Sequence, residues 1–375
     1  MRRDRPAPDP VLVETTADGH DLGGPADVSD RPEVTTVTDD EVVVWVGTEH
    51  RRYTGLAPDT VHHLDGIEVR TLPRPGGELV ATIATVNDVH FGEAVCGHIE
   101  GLESLGPPID QPNDEPPYPQ TMNHAVIDDI EARHRELGGD GVSVVVAKGD
   151  LTADGTVEQY DEFLAAYHQR LGHRLVHVRG NHDAYHGGEF AAWPTQRVDV
   201  GGATLAVLDT TIPGKASGHV TDDQVAWLDE LAAPTHGPPV LVFGHHHVWD
   251  PDSNERPDDY FGVHPDRSDL LVGLFARRSR LAGWFAGHTH RNRVRRFAAT
   301  GLVPWVEVAC TKDFPGAWAE YRIYEGGVVQ AMRRATSESA VAWAERTRTL
   351  FGGLYPRYAF GGLADRCFTV VTNRP

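Results

Sequence analysis

The chain has 375 residues, enough for one large or two moderate domains whose core needs no covalent staples, and 34 Lys and Arg against 55 Asp and Glu leave a formal charge of -21. So acidic an average surface disfavours nonspecific nucleic-acid binding, since no excess of cations replaces the phosphate counterions. Cys96, Cys310 and Cys367 are few and far apart, which argues against a disulfide framework and a cysteine-based zinc site. Arg291, Arg293, Arg295 and Arg296 are the candidates for a local basic patch, read as a solvated strand or turn in preference to a phosphate-attracting surface. MRRDRPAPDP is followed by no apolar leader, and no later run has membrane-spanning length, so a cytoplasmic location is the expectation.

Residues 1–40, rich in Pro, Asp, Gly and Thr with strand character at Val11-Leu12-Val13, are expected to be a loosely packed arm. EVVVWV (41–46) is a strong strand signal, and GLAPDT opens an alternating strand that ends at Thr71. That turn and strand, within 53–76, resemble the last hairpin of a fibronectin type III-like module, so 41–77 is expected to be a reduced β-rich module with a boundary at Pro73–Gly77.

From 78 to 330 short, nearly continuous apolar runs alternate with helical segments: LVATIATV (79–86), VSVVVAKG (142–149), LVHVRG (175–180), ATLAVLDT (203–210), PVLVFGH (239–245), LAGWFAGH (281–288) and WVEVAC (305–310). Such strands are buried on both faces, which predicts a sheet covered by helices, placed at 121–137, 156–171, 221–232 and 266–279. Thr221-Asp222-Asp223-Gln224 has the pattern of a capping box. The extension 331–375 carries a helical segment near Ser337–Leu350 and then aromatic and glycine residues. It reads first as packing, second as an interface between copies or a cover over a site mouth.

The polar residues fall at the ends of the runs. Asp88 and His90 follow the first, Asp150 the second, Asn181 and His182 the third, His245 the fifth, His288 and His290 the sixth. Ligands of α/β sheets gather at the carboxyl ends of strands, so residues dispersed along the chain converge there. Asp88-Val89-His90 and Gly149-Asp150 read equally well as capped turns, whereas GNHD (180–183) and GHTH (287–290) collect side chains of little packing value. In His245-His246-His247 three adjacent rings cannot all point one way. Two carboxylates, an amide and four or more imidazoles suit two transition-metal ions, Mn, Fe, Zn or Co, better than an all-oxygen Mg or Ca site.

In order, NDVHFG (87–92), KGDLT (148–152), RGNHD (179–183), FGHHH (243–247) and AGHTH (286–290) resemble the calcineurin-like metallophosphoesterases, over about residues 80–330. The resemblance implies an α/β, four-layer αββα sandwich of two mixed sheets flanked by helices. It implies a first metal held by Asp88, His90 and His290, a second held by Asn181, His245 and His288, and Asp150 bridging them. His182 becomes the substrate-side acid and Asp183 its orienter, with a metal-bridging hydroxide attacking phosphorus in line and no serine or cysteine nucleophile. His247 stands where the family often has proline.

GDLT, the HHH loop and GHTH look like the smaller phosphodiesterase branch that acts on cyclic nucleotides or glycerophosphodiesters. The Arg of the protein phosphatases' GDxxDRG is missing, and Ala153 replaces the tyrosine of the purple acid phosphatases' GDxxY. The expected substrate is a small-molecule phosphate diester, a cyclic nucleotide first, with a phosphomonoester or glycerophosphodiester as alternatives and a nuclease disfavoured by charge. Tyr185, His186, His246, His247 and Trp249, with Asp250 and Tyr260, are the pocket candidates, and acidic 249–264 reads as a loop over the site mouth. No stable nucleic-acid partner is expected. A homo-oligomer would form through the C-terminal extension.

Overall fold

A computed structural model describes residues 32–99, 103–258 and 260–372, so most of the expected N-terminal arm lies outside the described residues. The chain begins with an antiparallel sheet of β1 (Glu33–Val37), β2 (Glu41–Val46) and β3 (Glu49–Thr54), then a hairpin of β4 (Val61–Leu64) and β5 (Ile67–Arg70). Next come β6 (Leu79–Val86), the short pair β7 (Val95–Cys96) and β8 (Ile109–Asp110), α1 (Tyr118–Leu137), β9 (Val142–Lys148), α2 (Val157–Leu171), β10 (Leu175–Val178) and α3 (Asn181–Ala184). The middle holds β11 (Thr195–Val200), β12 (Ala203–Leu208), α4 (Asp222–Ala232), β13 (Val240–Gly244), α5 (Pro265–Arg277), β14 (Leu281–Ala286), β15 (Arg293–Arg295) and β16 (Trp305–Glu307). The chain closes with β17 (Ala317–Tyr324), β18 (Gly327–Arg334), α6 (Glu338–Thr347), α7 (Tyr355–Phe360), α8 (Leu363–Arg366) and β19 (Cys367–Val371).

Two six-stranded mixed sheets result, in the orders β10-β9-β6-β17-β18-β19 and β11-β12-β13-β14-β16-β15. Each of the seven predicted runs contains a strand. Their apolar residues divide by parity, because successive side chains leave a strand on opposite faces. Ile83, Leu205, Val207, Leu241, Phe243 and Phe285 point into the core between the sheets. Ala206, Leu208, Val240, Val242, Trp284 and Ala286 pack with α4 and α5 on one outer face, while α1, α2 and α6 cover the other sheet. The architecture is therefore an α/β sandwich of two mixed sheets flanked by helices, preceded by a smaller β-rich region. The Thr221–Gln224 capping box forms, with the Thr221 hydroxyl accepting from Gln224 N.

Several expectations change. Residues 33–37 are a strand with buried Val37, not part of a loose arm. The strand expected to end at Thr71 is a hairpin that turns at Asp65 and Gly66, both at positive φ (52° and 79°), as a tight Asp-Gly hairpin turn requires. The packing also joins segments expected to be separate, since Val37 of the arm and Val42 and Val44 of the module share one cluster with Ala331 and Cys367 of the C-terminal extension. β17 and β18 were unreadable as strands because they bury charge: Glu320, Arg322 and Arg333 are paired with one another and with Asp39, Glu41 and Arg133. The arginine patch is not solvated as a whole. Arg291 is buried on Glu307 at 2.9 Å, and Arg295 donates to the Val248 carbonyl.

Candidate metal centre

The loops after β6, β9, β10, β13 and β14 meet at one end of the two sheets. Asp88, His90, Asp150, His288 and His290 all lie at positive φ, between 47° and 69°. Residues with a Cβ rarely adopt this conformation, and such strain persists where the surrounding structure over-determines it. Two glycines make the approach possible. A Cβ on Gly180 would fall 2.2 Å from Asp150 Oδ1, and one on Gly149 would fall 2.6 Å from His245 Nδ1.

Asp150 has two separate tasks. Its Oδ1 accepts from the backbone N–H of His182 at 2.9 Å, at the start of α3, while Oδ2 lies 3.2 Å from His245 Nε2 and 3.6 Å from His90 Nε2. On one side Asp88 Oδ1 is 3.4 Å from His290 Nε2; on the other Asn181 Oδ1 is 2.9 Å from His245 Nε2. Among the described residues, Asp88-His90-His290, Asp88-Asp150-His245, His90-Asp150-His182 and His245-His246-His288 each bring three ligand atoms within 4.8 Å of one another. The chain thus presents clusters capable of coordinating two metal ions.

The outer hydrogen bonds fix which nitrogen faces inward. His245 Nδ1 donates to the Lys148 carbonyl (2.9 Å) and His288 Nε2 to the Phe261 carbonyl (2.9 Å). Carbonyls only accept, so those nitrogens carry the protons and the opposite ones are turned to the centre. His90 Nε2 is buried without a hydrogen-bond partner, as a ligand nitrogen would be. Burial, then neighbouring Lys312 and His182, hold His90 far below the usual imidazole range, and burial with His245 lowers His288 to about 3. Burial alone would lower His245, but the Asp150 carboxylate overrides it and raises the imidazole to about 9. The donor set fits two cations: the imidazoles of His90 and His288 are held neutral, an amide oxygen and two carboxylates face them, and the His245 ring, charged beside Asp150, would give up its Nε2 proton to a bound ion.

His182 lies at the edge of this group, its ring 4.6 Å from that of His90. Its Nδ1 donates to the Ala153 carbonyl at 2.7 Å, which leaves Nε2 for a ligand. This corrects the role expected of Asp183, whose carboxylate instead accepts from Leu151 N (3.0 Å), Thr152 N (2.8 Å), Thr152 Oγ1 (2.6 Å) and Gly180 N (2.7 Å). Asp183 ties the GDLT loop to the GNHD loop, while burial and the Asp150 charge push its pKa up to about 6.

The seven pocket candidates lie away from the cavity or serve other contacts. Tyr185 accepts from Asn181 Nδ2 at 2.7 Å, which turns Asn181 Oδ1 toward His245, and His186 is exposed. His246 bonds Thr210 Oγ1 through Nδ1 (2.7 Å), and its buried Nε2 has no hydrogen-bond partner. His247 is bonded to Tyr260, whose ring packs on Trp249. None of the seven lines the cavity of about 300 Å³ before the candidate ligands. Its walls include His90, His182, Phe261, His288, His290, Lys312, Phe351, Tyr355 and Tyr358. The 249–264 loop reaches the site through Phe261, and the C-terminal extension supplies a wall.

Residues not anticipated here include Glu93, 3.5 Å from His90 Nδ1, and Lys312, whose ammonium rests on both Glu93 oxygens (2.6 and 2.5 Å). Lys312 follows the seventh run, so the strand-end rule that located the other residues would have found it. Lys148 is fully buried behind the site, donates to the Ala286 carbonyl at 2.8 Å, and is lowered to about 7 by burial.

Residues 81–292 match the calcineurin-like phosphoesterase family, and the chain belongs to it. It is 31% identical over 185 residues to the 3',5'-cyclic adenosine monophosphate phosphodiesterase CpdA of Pseudomonas aeruginosa, covering 47% of this chain and 64% of that one. It is 27% identical over 161 residues to the glycerophosphodiester phosphodiesterase GpdQ of Enterobacter lignolyticus, covering 39% and 55%. The chain therefore spans less than two thirds of the length of either relative. A crystal structure of a dimetal phosphatase from Danio rerio superposes with a TM-score of 0.49 at 14% identity, over 69% of this chain and 97% of the other.

Proposed function

We propose that the chain is a dinuclear-metal phosphodiesterase that hydrolyses a small-molecule phosphate diester, with a 3',5'-cyclic nucleotide as the leading substrate. The observation that carries this reading is the position of Asp150 Oδ2, one oxygen within 3.6 Å of His90 and 3.2 Å of His245, which suits it to bridge two ions. Asp88, His90 and His290 would hold one ion, and Asn181, His245 and His288 the other. Bound divalent transition ions such as Mn, Fe, Zn or Co supply Lewis acidity, neutralising the ester's charge and acidifying water near neutral pH.

The protein's own groups do the rest. The carbonyls of Lys148 and Phe261 hold the His245 and His288 rings in one tautomer, and Tyr185 holds the Asn181 amide. His182, anchored by Ala153, directs Nε2 into the cavity, where as imidazolium it stabilises charge on the phosphoryl oxygens or protonates the departing alkoxide. The charge balance supports a diester. Lys312 is neutralised by Glu93 and lies 3.6 Å from Asp313, so it offers a monoester dianion little net attraction. The names of the two relatives, both phosphodiesterases, point the same way.

The test is a metal-reconstituted panel of bis-aryl phosphate, aryl monophosphate, cyclic nucleotides, glycerophosphodiesters and single-stranded DNA under one condition. Preference for diesters over the monoester, with cyclic nucleotides ahead, supports the reading. Preference for the monoester or for DNA overturns it.

A further inference from the structure

Beside the ligands the C-terminal extension builds a wall whose residues are held in place by unusual means. Phe351 has φ 53°, followed by Gly352 at 64° and Gly353 at 85°, three successive left-handed residues. A bulky side chain in that region is an outlier, retained where the fold gains from its position. The next two aromatics are tethered by their hydroxyls: Tyr355 donates to Asp313 Oδ1 at 2.6 Å and Tyr358 to the Thr289 carbonyl at 2.9 Å. Their rings run in sequence, Phe351 to Tyr355 at 5.5 Å and Tyr355 to Tyr358 at 6.4 Å, along the cavity that also exposes His182 and His290. With the tyrosine hydroxyls occupied, these rings offer the cavity apolar and π surface. Of the nearby charges, Glu93, Lys312 and Asp313 are paired and sum to a negative value, and the Arg291 guanidinium that lies over the Tyr358 ring at 5.2 Å is paired with Glu307, so the wall offers a second anionic group little net attraction.

We propose that Phe351, Tyr355 and Tyr358 form a subsite for an uncharged aromatic ring carried by the ester, and that Phe351 determines specificity there. This rests on the phosphodiesterase reading for the position of the phosphoryl group at the ligands. Rigid aromatic surfaces favour a flat ring by stacking and edge contacts over an alkyl group of similar charge.

The experiment uses two diesters with the same non-aromatic leaving group, benzyl 2,2,2-trifluoroethyl phosphate and methyl 2,2,2-trifluoroethyl phosphate, on the Mn-loaded protein, with trifluoroethanol release as the readout. In parallel, calorimetry compares phenylphosphonate with methylphosphonate. The expected preference for the phenyl ring is about tenfold in both assays, the scale of one good aromatic contact. Phe351→Ala should bring both ratios close to one, chiefly through KM, and Phe351→Tyr should restore them. Hydrolysis of both esters without a phenyl preference, or a preference that survives Phe351→Ala, overturns the subsite and leaves the phosphodiesterase reading standing. No hydrolysis, but a phenylphosphonate preference abolished by Phe351→Ala, overturns that reading and keeps the subsite. Absence of both overturns both.

Discussion

Tyr358 donates its hydroxyl proton to the carbonyl of Thr289, the residue between His288 and His290, at 2.9 Å. A helix from the end of the chain thus holds the loop that carries two candidate ligands, and Asn292 strengthens the attachment by donating to the Ala359 carbonyl through its backbone N (2.9 Å) and through Nδ2 (3.1 Å). Tyr358→Phe should lower stability by about 1 kcal/mol, the usual net value of one such bond. Because the tether acts on a ligand loop, metal affinity should also fall, by up to about tenfold. Denaturant titration and competitive metal titration check the two effects, and unchanged metal affinity would confine Tyr358 to a structural role.

Asp183→Asn puts an amide N–H₂ among four donors that now share a carboxylate. The expected result is a stability loss of about 1–3 kcal/mol from unsatisfied buried donors. An orienter of His182 would instead shift the pH profile of turnover at constant stability. Urea midpoints and pH–rate curves on the same variant separate the two.

His182→Ala should keep two metals per chain and reduce kcat by about 10²–10⁴, the range for loss of a positioned acid. The deficit should be smaller for diesters with activated aryl leaving groups, which need no proton. Metal analysis beside kinetics checks this, and loss of metal in step with activity would remove His182 from the acid role.

Asn181→Ala removes the oxygen that faces His245 at 2.9 Å and frees Tyr185 from its donor. Occupancy at limiting metal should fall from two ions to one, while the ion held on the Asp88 side remains. Dialysis followed by elemental analysis reads this directly; two ions retained at the same affinity would strike Asn181 from the ligand set.

The buried charges that join the N-terminal strands to β17 and β18 set the response to acid. Burial alone would raise Glu41 and Glu320, but Arg333 and neighbouring arginines hold both well below their ordinary value of 4.5. Since the folded values are depressed, their contribution to stability is complete above pH 4.5 and is lost as pH falls below it. Urea midpoints should therefore decline from about pH 4.5 downward, with proton uptake on unfolding, and Glu41→Gln should flatten the decline at the expense of neutral-pH stability.

The site was legible where local rules suffice. Glycine before Asp150, Asn181 and His288, each after an apolar run, announced strand ends, and strand ends of this architecture converge. What could not be read were partnerships made at a distance. Asp183 looks like an orienter because it adjoins His182, yet its partners Leu151 and Thr152 lie on another loop. Tyr185 looked like pocket lining and instead aims Asn181. Arg322 and Arg333 hid two strands, because hydrophobic patterning assigns arginine to solvent unless its carboxylates, here Glu41 and Glu320, are already known.

β6 carries Asp88 and His90 at its end, and its neighbours are β9 on one side and β17 on the other. Every candidate ligand has left the ribosome once His290 has, but at that moment β6 is still an edge strand with one row of backbone groups open. Only when residues 317–324 arrive does it become an interior strand, and only when 350–358 follow is the cavity walled. The centre is therefore framed by residues that follow the candidate ligands in sequence, so a chain cut just past His290 would hold the complete candidate set on a strand that has lost its β17 partner.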